Sequence, residues 1–385
     1  MTTPSIAKRL ERLRASFEDI DALLVTELAN VRYLTGFSGS AGIVVIGDHG
    51  TLLATDGRYR TQAGEQLEAS GLASAVELAV GGMKAQRQAI AGALSGAGRV
   101  GIEAEHVSWA ARERWAELTE PAELVATSGM VETLREVKDE GEVESIARAC
   151  AIADEALGRV VGMLREGVTE NEVAIELDSA MRRLGAEDRA FETIVASGPN
   201  SAKPHARPSD RPMRAGETVV IDFGATWEGY RSDMTRTFFV AGAPAVGSPG
   251  APRRAGRDLS DSADRMREVY DLVAAAQQAG LEALGPGVAA GVVDRACRAM
   301  IAEAGYGEAF EHSTGHGVGL DIHEAPTVAD GSTAILSPGV VATVEPGIYL
   351  PGVGGVRIED TAVITPTGNR PLTSFPKDPD GRNHQ

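Results

Sequence analysis

The sequence predicts an α+β chain of two domains, a smaller α/β domain followed by a larger one. Three observations carry this. The chain has 385 residues, more than one ordinary domain holds. Over the first ~130 residues short apolar runs alternate with helical stretches. Beyond that point two amphipathic helices come first and strand-like runs follow.

In the first domain Ala22 to Val25, Ala41 to Ile46, Thr51 to Thr55 and Val100 to Ala104 read as strands, with a turn at Gly47-Asp48-His49-Gly50. Trp109 to Leu118 reads as a helix. The boundary falls within 125–135, giving domains of residues 1–130 and 131–375. Val143, Ile146, Cys150, Ala153, Leu157, Val160 and Leu164 recur in alternating steps of three and four, the stripe of one long helix ended by Gly167. Thr169-Glu170-Asn171-Glu172 is a capping box for a second helix, which buries Val173, Leu177, Met181 and Leu184 and stops at Gly185. Strand-like runs follow at Thr218 to Phe223, Arg231 to Val240, Val340 to Val344 and Gly355 to Ile364. Helices over Tyr270 to Leu284 and Val292 to Glu303 lie between them. Residues 241–263, rich in Gly, Pro, Ala, Ser and Arg, read as a flexible insertion, and 376–385 as a frayed polar tail.

Composition narrows the function. With 43% hydrophobic and 24% charged residues the chain can bury a sizeable core. A net charge of −18 repels phosphate backbones, which argues against nucleic acid as a partner. Cys150 and Cys297 are too few for a disulfide framework or a Cys-based metal site and read as buried small hydrophobes. The first residues lack a basic start followed by an apolar core, and no apolar run approaches the roughly 20 residues of a membrane helix. A soluble, cytoplasmic protein without a membrane partner is expected.

The chemistry concentrates in four places. Asp222 interrupts the apolar run Val219-Val220-Ile221-Asp222-Phe223-Gly224, and Asp233 follows in Arg231-Ser232-Asp233-Met234-Thr235. Trp227-Glu228-Gly229-Tyr230 between them has turn character. A hairpin closing at Glu228-Gly229 places Asp222 opposite residue 235 and diagonal to Asp233, on one side of the sheet. Two carboxylates sharing a buried face repel unless a cation neutralises them, which a binuclear metal site would do; solvent-facing aspartates on an edge hairpin are the alternative. Asp222-Phe223-Gly224 also matches a kinase magnesium triplet, but neither a kinase Gly-rich loop nor a His-Arg-Asp loop accompanies it.

His312, His316 and His323 fall within twelve residues, among glycines at 315, 317 and 319. Those glycines oppose a helix and suggest a strand or loop where backbone must approach a ligand. His205 lies in the Ser197–His205 loop. Glu345 ends the strand Val341–Val344 before a Pro-Gly turn, and Glu359 lies two residues after Arg357, with a simple salt bridge to Arg357 as the alternative reading. Taken together, two Asp, two Glu and an imidazole suit manganese, cobalt, iron or zinc. Two such ions make a nucleophilic hydroxide near neutral pH.

The runs Ser197 to His205, Ile221 to Thr237, His312 to Pro326, Glu345 to Gly352 and Gly355 to Thr361 resemble, in order and spacing, the pita-bread metallopeptidases. These are the methionine aminopeptidases, prolidases and aminopeptidase P. The resemblance implies a pita-bread catalytic domain with two divalent ions, manganese foremost, held by Asp222, Asp233, His316, Glu345 and Glu359. Asp233 and Glu359 would bridge them. It further implies substrate orientation and charge stabilisation by His205 and His323, and a proton shuttle at Glu345. His312 and Arg357 match the proline-specific branch and would hold the proline side of the substrate. Asn30 to Ser40 and Thr55 to Arg60 resemble the creatinase-type N-terminal domain of that branch, whose members are commonly homodimers. The expected function is hydrolysis of the Xaa-Pro bond at the N-terminus of dipeptides or short peptides by a metal-bridging hydroxide. A creatinase-like hydrolase and a non-enzymatic binding protein on the same fold are the rivals, and the complete ligand set disfavours both.

Overall fold

The computed structural model describes residues 6–48, 50–241 and 255–381. The chain divides into two compact units, Met1–Arg135 and Glu136–Gln385. Residues 242–254 of the expected insertion, His49 of the expected turn and the tail from residue 382 lie outside the described residues. The chain is already helical from Ala255.

The N-terminal unit is built on a six-stranded sheet. Its strands are β1 (Ala22–Val25), β2 (Gly42–Gly47), β3 (Gly50–Thr55), β4 (Val76–Val80), β5 (Arg99–Glu103) and β6 (Glu123–Thr127), in the order β4-β3-β2-β1-β5-β6. β1 runs antiparallel to β2 and parallel to β5, and β5 runs parallel to β6. Every residue of β1 is buried, as a central strand covered on both faces requires. The four strands read from the sequence are present. β4 and β6, which were not read, are edge strands with at most one buried residue each, so their hydrophobic signal is weak.

The C-terminal unit opens with the helix Glu140–Val160, capped by Asp139 and Glu142, and continues with Glu170–Arg183, capped by the expected Thr169–Glu172 box. The first helix stops before the predicted Leu164, in a short 3₁₀ turn at Val161–Met163. These helices pack on Val219, Ile221 and Phe223 of β9 (Thr218–Phe223). Side chains alternate along a strand, so Asp222 stands on the opposite face. β9 lies between β8 (Ile194–Ser197) and β12 (Met234–Phe239). Thr235 of β12 sits directly opposite Asp222, the register expected from the sequence. The hairpin closes where expected: Glu228 and Gly229 both have positive φ, 48° and 76°, joining β10 (Ala225–Trp227) to β11 (Tyr230–Arg231) in a tight turn. β10 also pairs with β7 (Asp188–Arg189).

A five-stranded sheet holds β13 (Gly315–Gly317), β14 (Glu324–Val328), β15 (Val341–Val344), β18 (Asp360–Thr365) and β19 (Gly368–Pro371) in the order β14-β13-β15-β18-β19. β16 (Gly347–Leu350) and β17 (Gly354–Arg357) form a separate hairpin. Helices Ala255–Ala283 and Ala290–Glu303 cover this region through Val269, Val273, Val293, Cys297 and Ile301, against Val344, Ile348, Val356 and Ile358.

Two predicted strands are therefore each broken in two. Arg231 to Val240 is interrupted at Ser232-Asp233, and Gly355 to Ile364 at Ile358-Glu359, where the chain passes from one sheet to another. The expected frayed tail is also corrected up to residue 381. The Lys377 ammonium lies 2.6 Å from Asp360, and the Pro379 carbonyl accepts from the Phe239 amide. A buried network explains this anchoring. Arg236, 1% exposed, donates to the carbonyls of Thr235, Glu359 and Phe375 and to Asp360. Between them, Arg236 and Lys377 hold the Asp360 carboxylate at about 2, below its ordinary value, against the opposing effect of burial.

Removing Asp360 strands the buried Arg236 guanidinium. Asp360→Ala is expected to destabilise the protein by ~3–5 kcal/mol, read as a fall in the urea unfolding midpoint. A loss below ~1 kcal/mol would show that this ion pair is not what anchors the C-terminal segment.

Candidate metal centre

The candidate ligands come from places where strands end, break or bulge. Asp222 is the penultimate residue of β9. Asp233 sits in the break before β12, Glu345 in the break between β15 and β16, and Glu359 in the break between β17 and β18. His316 lies in β13 at a register irregularity between His316 and Gly317. At such points the backbone leaves the ladder and side chains can converge.

The predicted residues do converge. The ligand atoms of Asp233, His316 and Glu359 lie within 4.8 Å of one another. His316 Nε2 is 3.5 Å from Asp233 Oδ2 and 3.4 Å from Glu345 Oε1. Asp222 Oδ2 lies 2.6 Å from the Arg357 guanidinium. Arg357 therefore pairs with Asp222, and the Arg357–Glu359 bridge weighed as the alternative reading is not the contact these residues make. Glu359 instead accepts from Thr235 Oγ1 at 2.7 Å.

The electrostatics are those of a crowded anionic cluster. Burial pushes the Asp233 carboxyl well up, reinforced by Glu359, Asp222 and Glu345. Burial also raises Glu359 strongly, with Glu345 and Asp222 adding to it. Glu345 is pushed up to about 8, mainly by burial, while Arg357 partly offsets it. His316 is brought down to about 4 by burial, which leaves a neutral imidazole at neutral pH. Three carboxylate oxygens, Asp222 Oδ1, Asp233 Oδ1 and Glu359 Oε1, are buried without a hydrogen-bond partner among the described residues. Buried carboxylates in contact and short of donors must either take up protons or share a cation. Hard oxygens with one imidazole match the chemistry of a divalent transition metal. The donor set therefore fits a metal.

The glycines of the histidine run have a packing purpose. A Cβ on Gly315 would meet the Thr343 carbonyl at 2.1 Å, and one on Gly317 the Ala325 carbonyl at 2.1 Å. They permit neighbouring strands to close on β13. His323 faces His316 edge-on, ring centroids 4.3 Å apart. His205 is exposed, and its charge helps hold both His312 and His323 below the ordinary histidine range, where burial is the larger cause. His312 Nε2 lies 2.8 Å from the Tyr349 hydroxyl. All nine sequence-predicted residues are thus in or beside one cluster.

Two participants were missed. Thr235 donates to Glu359 and accepts from Arg357 Nε at 3.2 Å. Tyr349 links His312 to Arg357, accepting from Arg357 Nη1 at 2.7 Å. The signal for Thr235 was available, because the hairpin register places it opposite Asp222. Tyr349 had no such signal, since the fold of the β16–β17 hairpin brings it in.

Comparison with known proteins agrees with this geometry. Residues 144–366 match the family described as Metallopeptidase family M24, and residues 9–137 match the Creatinase/Prolidase N-terminal domain. The chain is 37% identical to an Xaa-Pro dipeptidase of Pyrococcus horikoshii, over 92% of this chain and 93% of that one. The solved structure of an Xaa-Pro dipeptidase from Bacillus anthracis superposes with a TM-score of 0.87 at 38% identity, covering 97% of this chain and 99% of that one. An X-Pro aminopeptidase from Thermotoga maritima gives 0.82 at 36% identity, covering 96% and 99%.

A carboxyl whose folded value lies above its unfolded one stabilises the fold while protonated, and that contribution is lost as pH rises. For Glu345 the window runs from 4.5 to about 8. His312 and His316 act in the opposite sense, their stability returning as pH rises from about 4 to 6.5. Between pH 6.5 and 8 the carboxylates dominate, so the melting temperature of cation-stripped protein is expected to fall across that interval. Manganese should raise it more at the upper end. A melting temperature that climbs without cation, or is indifferent to manganese, would contradict the metal assignment.

Proposed function

The chain belongs to metallopeptidase family M24, and from that premise we propose that it cleaves the Xaa-Pro bond at the N-terminus of dipeptides or short peptides at a two-metal centre. The observation that carries the reading is the grouping of Asp233 and Glu359, each with an oxygen that lacks a partner among the described residues, with the neutral imidazole of His316. Asp222, Asp233, His316, Glu345 and Glu359 are the proposed ligands, and Asp233 and Glu359 would serve both ions. When bound, the ions supply Lewis acidity and make water nucleophilic near neutral pH.

The chain's own groups supply the rest. The acidic cluster attracts the free amine of the peptide, which fixes the scissile carbonyl at a set distance from the N-terminus. Glu345, poised near neutral pH by burial, takes a proton from the attacking water and returns it to the leaving nitrogen. His205 and His323 lie on the open side of the cluster, and each can donate a hydrogen bond to charge that develops on the substrate oxygen. His312 lies at the proline side with Tyr349. Arg357 already donates to Asp222, Tyr349, Thr235 and the Pro204 carbonyl. Of five guanidinium donors that leaves one for a substrate carboxylate, so its first task is to orient Asp222.

The oxygen-rich donor set favours manganese, with cobalt, zinc and iron as alternatives. A cytoplasmic homodimer is proposed from the family resemblance alone. The names of the relatives include both dipeptidases and an aminopeptidase. A creatinase-like, metal-free hydrolysis is disfavoured because it leaves the buried carboxylates uncompensated.

Proline-side product release from Ala-Pro and from Ala-Pro-Ala, with and without manganese, tests the reading. Turnover of the dipeptide alone indicates a prolidase, and turnover of the tripeptide an aminopeptidase P. No turnover of either at full metal loading would reject the substrate class. Asp233→Asn should abolish turnover. His323→Ala should lower kcat by ~10²–10³ if it stabilises the oxyanion, and an unchanged rate would remove that role.

A further inference from the structure

The N-terminal unit carries a crevice that the peptidase chemistry does not use. At the carboxyl ends of β1 and β5, two adjacent parallel strands, the chain departs in opposite directions. After β1 it turns towards β2, and after β5 it passes through the helix Trp109–Thr119 towards β6. Such a divergence opens a gap outside the strand ends, the usual place for a ligand in an open α/β sheet. A crevice of about 450 Å³ lies there, walled by the helices Met83–Ala93 and Trp109–Thr119. That volume falls in the ordinary range for small-molecule sites.

Its lining is amphipathic with one sign of charge. Ile43, Ile90 and Trp115 provide apolar surface, and Met83, 76% exposed, stands at the rim. Arg87 and Arg114 line the same crevice, and neither has an ion-pair or hydrogen-bond partner among the described residues. The helix Met83–Ala93 begins at Gly82 without a side-chain cap, so its first amides are left for another acceptor. The nearby Glu103 carboxylate is already satisfied by the Thr26 and Glu27 amides and by Asn30. Two unpaired guanidinium groups and an uncapped helix start, in a chain of net charge −18, select for an anion.

We propose that this crevice is a binding site for a small organic carboxylate with an apolar body, the carboxylate held by Arg87 and Arg114 and the body against Ile43, Ile90 and Trp115.

Calorimetric titration of the full chain with 2-naphthoate tests it, beside the neutral isostere 2-naphthylmethanol and the cation 2-naphthylmethylamine. Saturable binding of the carboxylate is expected, about tenfold tighter than the alcohol, with the amine weakest. Arg87→Glu/Arg114→Glu, two changes on partly or fully exposed side chains, should weaken naphthoate by about tenfold or more while leaving Ala-Pro turnover at its wild-type value. That turnover reports that the variant is folded. The proposal is overturned if naphthoate does not saturate the wild-type protein, if the alcohol binds as well, or if the double variant binds naphthoate undiminished.

Discussion

The mutual repulsion of the buried carboxylates is the constraint around which the C-terminal unit is organised. Burial raises the proton affinity of Asp233, Glu345 and Glu359, the charge of Asp222 adds to each, and three oxygens of the cluster find no donor among the described residues. Regular strands are poorly suited to such a gathering, because their side chains stand in parallel rows on fixed faces. The fold interrupts its strands instead. Three of the four carboxylates occupy breaks between strands, and His316 sits at a bulge. Each interruption frees a side chain to point inward and leaves backbone groups that need other partners.

Those partners are supplied by backbone amides and by side chains around the cluster. The Thr235 carbonyl accepts from the Glu359 amide and from Arg236, and the Glu359 carbonyl accepts from Arg236 as well. Thr361 Oγ1 donates to the Asp233 carbonyl, and Thr343 Oγ1 lies between the His316 amide and the Glu345 carboxylate. A second knot holds the loop that presents His205. Glu170, fully buried at the start of its helix, accepts from Ser197, Asn200 and Ser209. The cluster is thus rigid by construction, and preorganised donors are what a charged transition state requires.

Much of this was legible in the sequence, for a physical reason. The Asp222–Thr235 register follows from one turn, Glu228-Gly229, whose two positive φ angles suit a two-residue hairpin. Long helices with a clean stripe and a capping box were equally readable. What escaped were features set by tertiary context. The edge strands β4 and β6 bury almost nothing, so they carry little periodic signal. The breaks at Asp233 and Glu359 leave no trace in hydrophobicity, since Ile358 on one side is fully buried, like the strand residues around it. The capping of Asp360 by Arg236 and Lys377 joins positions more than a hundred residues apart in one case and a polar tail in the other, so the tail looked free when it is not.

The commitments of Arg357 bear on specificity. Four of its five guanidinium donors already go to Asp222, Tyr349, Thr235 and Pro204, so it could offer a substrate carboxylate one hydrogen bond but not a bidentate pair without releasing Asp222. On the proposed substrate class, recognition of a free C-terminus would rest mainly on groups with donors to spare. His205 and His323 are exposed, and burial and mutual repulsion hold His323 low, so a neutral ring is the form it presents. A neutral imidazole donates a single hydrogen bond and carries no charge that distinguishes a carboxylate from an amide carbonyl. On the proposed substrate class, the histidines beside the carboxylate cluster would therefore discriminate poorly between a dipeptide and a longer peptide. That choice would fall to whatever limits the space beyond the proline residue, which makes the length of the accepted peptide a steric property of the proposed site rather than an electrostatic one.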